Sequence, residues 1–290
     1  MKLKAFFETV SSTLCYLVWD EETGDAVIID PVLDYDSVNH RVSTEFADGL
    51  VAAVQERGLT LHWCLETHVH ADHLSSARYL AGKLGCKVGI SAAVRTVQNT
   101  FGQILGLGPE WSRDGSSFEG CFEDHTTIHA GSLLIQTIAT PGHTPACMSY
   151  LIEDALFVGD ALFMPDFGTG RCDFPDGSAT DLFQSVTQRI YGLPDETRIF
   201  VGHDYQPGGR ELAFETSVGA SKQSNKQIKA DTSREEFVQF RTERDKQLNL
   251  PRLLYQSLQV NLRAGRLPTA DTEGHRFLKI PIAGPTDWQT

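Results

Sequence analysis

The stretch T-H-V-H-A-D-H at residues 67–73 places three histidines and one aspartate within seven positions. Alternate side chains of an extended segment point the same way, so His68 and His70 share one side of it. Imidazole and carboxylate groups gathered in this way are typical ligands of first-row transition metals. The stretch therefore predicts a metal site and raises the question of which metal it binds.

Three further polar signals follow along the chain: T-P-G-H-T at 140–144, F-V-G-D-A at 157–161 and V-G-H-D-Y at 201–205. Each comes after an apolar, strand-like run and is flanked by Gly or Pro, which is typical of the loops at strand ends. A single histidine in such a place is usually an ordinary polar residue. The four signals together favour a metal centre built from converging loops.

The elements that must position these groups are strands mixed with a few helices. Apolar runs rich in aromatic and β-branched residues predict strands at 4–9, 13–20, 25–30, 61–66, 87–90, 132–140, 148–152 and 155–160. Apolar residues near helical spacing predict helices over 44–57 and 74–84, and five glycines in 102–124 predict a loop. This order does not fit a doubly wound parallel sheet. It predicts an α+β fold with two facing sheets and helices outside, an αββα sandwich.

The character of the chain changes after F-V-G-H-D-Y (200–205). From about 209 onward it is charged and helix-prone, and its last 82 positions hold 13 of the 25 Lys and Arg residues. We therefore expect a β-rich domain over 1–208 and a helical C-terminal extension over 209–290 packed on it.

Composition excludes several classes of function. A net charge of −13 argues against nucleic acid as a main partner. No apolar run approaches the roughly 18 residues of a membrane span, and the N-terminus lacks the features of a signal peptide, so we expect a cytoplasmic location. The six cysteines form no C-x-x-C pair, which indicates reduced and mostly buried thiols.

With these motifs the chain resembles the metallo-β-lactamase superfamily, whose signature is H-x-H-x-D-H followed by a histidine, an aspartate and a histidine. The resemblance covers residues 1 to about 208 and implies an αββα sandwich with a metal site at its edge. All seven signature positions are present: His68, His70, Asp72, His73, His143, Asp160 and His203.

Within the superfamily, the best match is the persulfide dioxygenase family. The element G-R-C-D-F (170–174), followed by D-G-S (176–178), resembles the G-R-x-D-F-x-x-G element of that family. Glyoxalase II, a hydrolase of the same superfamily, typically has G-R-F-F-E-G there. Asp173 stands where that pattern has an aromatic residue, which favours the dioxygenases.

The resemblance implies one Fe(II) per chain, bound by His68, His143 and Asp160. The implied reaction oxidises glutathione persulfide with O₂ to sulfite and glutathione, without a covalent nucleophile. The other four signature residues would either orient these ligands or bind a second metal: His70, Asp72, His73 and His203.

Two other functions stay open at this stage. One is a dinuclear thioester hydrolase of the glyoxalase II type, which would use the complete seven-residue set. The other is a non-catalytic sulfur-binding module that retains the metal scaffold. Related enzymes are commonly dimers, which leaves a homodimer open as well.

An anionic glutathione substrate requires basic groups near the pocket. The substrate-binding candidates are Arg171, Asp173, Tyr205 and Arg210. Lys222, Lys226 and Lys229 are spaced as on one helix face, where a solvated surface is the ordinary alternative.

Overall fold

The computed structural model describes residues 1–108, 111–282 and 284. Its strands are β1 (Lys2–Glu8), β2 (Thr13–Trp19), β3 (Asp25–Ile29), β4 (Val32–Asp36), β5 (Arg41–Ser43), β6 (Thr60–Leu65), β7 (Leu74–Ser75), β8 (Lys87–Ser91), β9 (Gly120–Phe122), β10 (Thr127–Ala130), β11 (Leu133–Ala139), β12 (Met148–Ile152), β13 (Ala155–Phe157), β14 (Arg198–Phe200) and β15 (Glu215–Ser217). Its α-helices are α1 (Glu45–Glu56), α2 (Ala77–Leu84), α3 (Val94–Ile104), α4 (Ala179–Gln184), α5 (Val218–Ser224), α6 (Arg234–Asp245) and α7 (Leu254–Asn261).

Two six-stranded sheets form the body of the molecule. The first has the order β1-β2-β3-β6-β8-β9, and the second has the order β10-β11-β12-β13-β14-β15. Both sheets contain parallel pairs: β3 with β6 and β6 with β8 in the first, and β13 with β14 in the second. A small sheet, β5-β4-β7, lies beside them. Parallel neighbouring strands end at the same edge of a sheet. This fixes the edge at which the loop after β6 leaves the first sheet and the edge at which the loops after β13 and β14 leave the second.

Alternation along β2 shows how the layers pack. Leu14, Tyr16 and Val18 face the core between the two sheets. Cys15 and Leu17 face the opposite way, into the core beneath α1, α2, α3 and α7. Because both faces of the strand are apolar and buried, it reads as a continuous apolar run. The helices α4, α5 and α6 contribute to the core on the second sheet, which completes the αββα sandwich predicted from the sequence.

Two local predictions are corrected by the structure, and one helix was not predicted. The helix predicted from residue 74 begins at Ala77, because Leu74 and Ser75 pair with β4. The loop predicted over 102–124 overlaps the end of α3 and contains β9. The helix α3 escaped prediction because its buried face, with Val97 and Phe101, is interrupted by polar residues such as the buried Gln98.

The segment beyond residue 208 is not wholly helical. Its strand β15 pairs with β14 and extends the second sheet, and only then do α5, α6 and α7 follow. These helices are short: α6 has 12 residues and α7 has 8. Within the described residues, no helix is long and apolar enough to cross a membrane.

Candidate metal centre

Four loops bring the signature residues to one edge of the sandwich. His68, His70 and His73 lie in the irregular segment between β6 and β7. His143 lies between β11 and β12, and Asp160 lies in a 3₁₀ turn after β13, at Gly159–Ala161. His203 follows β14, where an isolated bridge to Thr13 holds it against the start of β2.

One group of potential ligands consists of His68, His143 and Asp160, whose ligand atoms all lie within 4.8 Å of one another. Nε2 of His143 is 3.6 Å from Oδ2 of Asp160, and the ring centroids of His68 and His143 are 5.0 Å apart. All three side chains are buried or nearly so. Burial lowers the pKa of His68 well below its ordinary value, so its imidazole is in the neutral form that binds metals.

A second group consists of His70, Asp72 and His203, again within 4.8 Å of one another. Nε2 of His203 lies 3.5 Å from Oδ2 of Asp72 and 3.4 Å from Oδ1 of Asp160. Asp160 therefore faces both groups, with one carboxylate oxygen toward His143 and the other toward His203. Asp160 is thus the residue that lies between the two groups.

The centre carries buried polar atoms that the protein itself leaves without hydrogen bonds. Within the described chain, Oδ1 of Asp160 and Nε2 of both His73 and His203 have no hydrogen-bond partner. Such atoms are costly to bury unless a ligand satisfies them. Neutral imidazole nitrogens and carboxylate oxygens converging in this way fit a divalent transition-metal ion.

His70 differs from the other signature histidines because it contacts two buried carboxylates. Its Nε2 lies 3.1 Å from Oδ1 of Asp30 and 3.5 Å from Oε2 of Glu66. Burial disfavours the imidazolium, but the attraction of Asp30 and Glu66 outweighs it and raises the pKa of His70 to about 10. Burial in turn raises the pKa of Glu66 to about 7. Nε2 of His70 thus faces these two acids.

Hydrogen bonds fix the orientation of the two imidazoles in the first group. Nδ1 of His143 donates to the carbonyl oxygen of Arg171 at 2.6 Å, which leaves Nε2 free to bind a metal. Nδ1 of His68 lies 3.0 Å from Oγ1 of Thr67. The Thr67 hydroxyl donates to Asp30 at 2.7 Å, and its main-chain N–H donates to the same carboxylate.

The G-R-C-D-F element packs directly against the metal-site aspartate. The N–H of Gly170 donates to the carbonyl oxygen of Asp160, and a Cβ at position 170 would overlap that carbonyl group. Only glycine permits this approach. The next residues bring the carbonyl of Arg171 to His143, while Asp245 of α6 accepts a hydrogen bond from the N–H of Cys172 at 2.7 Å.

A cavity of about 670 Å³ opens onto the centre. Its lining includes the metal-site residues Asp72, His143, Asp160 and His203, the aromatic residues Phe163, Phe167, Tyr205 and Phe240, and the basic residues Arg171, Lys226, Arg241 and Arg244. Tyr205 stacks on His203 with ring centroids 5.5 Å apart. Residues of the C-terminal extension thus form one wall of the cavity.

The structure places the predicted substrate-binding residues in two kinds of surroundings. Arg171 and Tyr205 line the cavity. The guanidinium group of Arg171 is already paired with Asp173, because its Nε and Nη2 each lie 2.5 Å from a carboxylate oxygen of that residue. Arg210 forms ion pairs with Asp166 and Asp204. Most of the positive charge of these two arginines is therefore compensated within the protein.

The cysteine thiols are free and mostly buried. Cys147, four residues after His143, is buried. Burial raises the pKa of Cys147 to about 12, so its thiol stays protonated and is a poor nucleophile.

Sequence reasoning missed Asp30 and Glu66. Asp30 follows the apolar run A-V-I-I and precedes Pro31, which is the same strand-end signal that identified the metal-site residues. Glu66 directly precedes T-H-V-H-A-D-H. The signal at Asp30 was therefore present, but nothing in the sequence pairs either carboxylate with His70.

Comparisons with known proteins agree with this geometry. A sequence profile described as the metallo-beta-lactamase superfamily matches residues 9–203. The chain is 46% identical to glyoxylase B2 of Dictyostelium discoideum, over 97% of each chain. It is 32% identical to the mitochondrial persulfide dioxygenase ETHE1 of Homo sapiens, over 92% of this chain and 91% of that one. The crystal structure of ETHE1 from Myxococcus xanthus superimposes with a TM-score of 0.73 at 33% identity, over 92% of this chain and 100% of that one.

The profile match spans most of the chain and includes all seven signature residues. The fold, the loops that carry the ligands and the paired ligand groups agree with it. The chain belongs to the metallo-β-lactamase superfamily and is a homologue of the ETHE1 persulfide dioxygenases within it.

Proposed function

We propose that the protein is a persulfide dioxygenase that oxidises glutathione persulfide with O₂ to sulfite and glutathione at one Fe(II) per chain. The observation that carries the proposal is the three-ligand group of His68, His143 and Asp160, of which His143 and Asp160 line the cavity. Two imidazoles and one carboxylate on one face are the ligand set of non-haem Fe(II) oxygenases. The similarity to the human persulfide dioxygenase supports the same conclusion.

The position of His70 supports a single metal ion. A three-histidine metal position would require His70 together with His68 and His143. Nε2 of His70 lies 3.1 Å from Asp30 and 3.5 Å from Glu66, so the protein's own carboxylates compete with a metal ion for this nitrogen. The first group is then left with its two histidines and Asp160.

The reaction balances without any covalent intermediate on the protein. Glutathione persulfide, O₂ and water give glutathione, sulfite and two protons. Fe(II), when bound, supplies the redox chemistry that allows O₂ to react with the terminal sulfur. The chain holds the ligands in orientation through Thr67 and the carbonyl of Arg171. Phe163 and Phe167 line the cavity beside the centre and give this part of its wall an apolar surface.

The cavity wall also supplies charge for an anionic thiol. Arg171 and Arg241 are paired with Asp173 and Asp245, but Lys226 and Arg244 form no ion pair within the described part of the chain. Nζ of Lys226 lies over the ring of Phe167, 5.5 Å from its centroid. These two cations are suited to bind the carboxylates of glutathione, in a protein whose net charge is −13.

The experiment that tests the proposal uses protein purified without oxygen and loaded with Fe(II). On addition of glutathione persulfide we expect O₂ uptake, one sulfite formed for each O₂ consumed, and one iron per chain. The variant His143→Ala should lose both iron and activity, while His275→Ala, which changes an exposed histidine, should behave as wild type. Absence of O₂ uptake with one tightly bound Fe(II) would refute the proposal.

A dinuclear thioester hydrolase is the second candidate, and one observation favours it. Nε2 of His203 lies at similar distances from Asp72 and Asp160, as expected for a second metal position beside the first. The 46% identity to a protein named glyoxylase B2 points in the same direction. Two metal ions per chain and rapid hydrolysis of S-lactoylglutathione would establish this function in place of the first.

A further inference from the structure

Asn261, the last residue of α7, hydrogen-bonds to the metal-ligand loop at three points. Its Nδ2 donates to the carbonyl oxygens of His70 and His73, each at 2.9 Å. Its Oδ1 accepts a hydrogen bond from the N–H of Ser75 at 2.8 Å. The side chain is buried, 5% exposed, and is separated from the loop by more than 180 positions in sequence.

We propose that Asn261 is a positioning residue of the metal centre. It acts through the main chain of the loop and does not touch the metal or the substrate. The loop between His68 and His73 has no regular strand pairing, so its conformation depends on the bonds that its buried main-chain groups make. Asn261 satisfies carbonyl groups on both sides of Asp72 and one N–H just beyond His73, and so fixes the path between the ligands.

An amide side chain has the hydrogen-bonding groups that this role requires. Its two N–H donors and one carbonyl acceptor match two main-chain carbonyls and one main-chain N–H. A carboxylate of the same shape retains the acceptor but turns an oxygen toward carbonyl oxygens. The buried carbonyls of His70 and His73 would then lose their donor, which is costly in the interior.

The helix that carries Asn261 is itself held firmly. Leu254 and Leu258 are buried in the core beneath the first sheet. Just after the helix, the carbonyl of Leu262 accepts a hydrogen bond from Nε2 of Gln98, a buried residue of α3. A rigid support of this kind is needed if a distant residue is to hold a ligand loop in place.

Gln98 provides a matched control. Both Asn261→Asp and Gln98→Glu replace a buried amide with a carboxyl group at the same end of α7, and both remove a donor to a main-chain carbonyl. Only Asn261 contacts the metal-ligand loop. Comparing the two variants therefore distinguishes an effect on the metal-ligand loop from a general weakening of the packing of α7.

The experiment measures metal binding, so it is independent of which reaction the enzyme catalyses. The probe is Co(II), whose absorption spectrum reports coordination geometry, titrated into each metal-free protein against a competing chelator. For Asn261→Asp we expect about a 10- to 100-fold weaker affinity and an altered spectrum. For Gln98→Glu we expect wild-type affinity and spectrum, with a lower unfolding temperature.

Wild-type affinity and spectrum in Asn261→Asp would overturn the proposal, and so would an equal loss of affinity in Gln98→Glu. If Asn261→Asp fails to fold, Asn261→Ser takes its place, since the hydroxyl retains one donor without adding charge. Weaker Co(II) binding by the serine variant supports the proposal, and unchanged binding overturns it. If the wild-type enzyme does not oxidise glutathione persulfide, the proposed function is refuted, but the Co(II)-binding comparison of the variants is unaffected.

Discussion

Nε2 of His70 lies 3.1 Å from Oδ1 of Asp30, and both side chains are buried in the interior beside the metal centre. The same carboxylate accepts two hydrogen bonds from Thr67, the residue before His68. One aspartate at the end of β3 thus holds the start of the ligand loop and a histidine within it. The contact between His70 and Asp30 therefore attaches the metal-ligand loop to the first sheet.

The first prediction concerns this pair. Asp30→Asn should lower the free energy of unfolding of the metal-free protein by about 3 kcal/mol or more, because His70 would lose a buried counter-charge. Urea denaturation measures the change. Asp231→Asn, which alters an exposed carboxylate, should leave the stability unchanged. A small effect at Asp30, comparable with that at Asp231, would mean that the pair contributes little.

The second prediction distinguishes one metal ion from two. In a mononuclear oxygenase, His203→Ala removes a residue beside Asp160 but no iron ligand, so we expect one iron per chain and sulfite formation reduced by about 10-fold or less. In a dinuclear hydrolase the same change would remove a metal ligand and nearly abolish thioester hydrolysis. Metal analysis and both assays decide between these outcomes. His129→Ala, in an exposed position of β10, is the matched control.

The third prediction concerns the unpaired cations of the cavity. Lys226→Ala and Arg244→Ala should each raise the KM for glutathione persulfide by about 2- to 5-fold, as expected for exposed charge pairs, with little change in kcat. The effect should shrink at high salt, because salt screens exposed charges. Steady-state kinetics at two ionic strengths provides the measurement. Lys222→Ala serves as control, since Lys222 pairs with Asp195 and does not line the cavity; an equal effect there would contradict the prediction.

The sandwich and the ligand loops were predictable because their signals are local. Each ligand follows an apolar run, so the same sequence signal marks the end of a strand and the site residue after it. The pairing of the strands then places these loops at one edge of the sandwich. The role of Arg171 could not be decided from the sequence, because an arginine two positions from an aspartate can pair with it or remain a free cation; in the structure the two are paired.

The contacts that span the chain could not be predicted in this way. Asn261 lies 186 to 191 positions from its partners, and no pattern around it marks a buried amide. Likewise, β15 was assigned to a helical segment because three residues at a sheet edge are too few to show a period of two. Such features depend on tertiary packing, which brings together residues that are far apart in the sequence.

The fourth prediction is a pH dependence. Asp25, at the start of β3, lies 2.6 Å from Nε2 of His62 and accepts a hydrogen bond from the N–H of Ser132 in the turn before β11. The bond from His62, with that from Ser132, lowers the pKa of Asp25 from 3.8 to about 2. A lowered folded-state pKa gives stability that is present above about pH 4 and is lost as the pH falls toward 2.

Thermal unfolding of wild type and Asp25→Asn across pH 7 to 3 tests this. The variant should be less stable than wild type at neutral pH, and the difference should narrow below pH 4 as the wild-type carboxylate begins to take up a proton. A difference that stays constant over the whole range would show that the carboxylate charge is not what stabilises the turn.

The fifth prediction concerns Gly170, whose Cα lies so close to the carbonyl of Asp160 that a Cβ would overlap it. Gly170→Ala should displace Asp160 and lower both iron content and activity by at least 10-fold, since small shifts of a metal ligand are costly. Gly82→Ala is the matched control: a Cβ there meets nothing within 4 Å, and the residue lies within α2. Alanine should stabilise that helix by about 0.5–1 kcal/mol and leave iron binding unchanged. Equal iron content in the two variants would show that the backbone of Asp160 tolerates displacement.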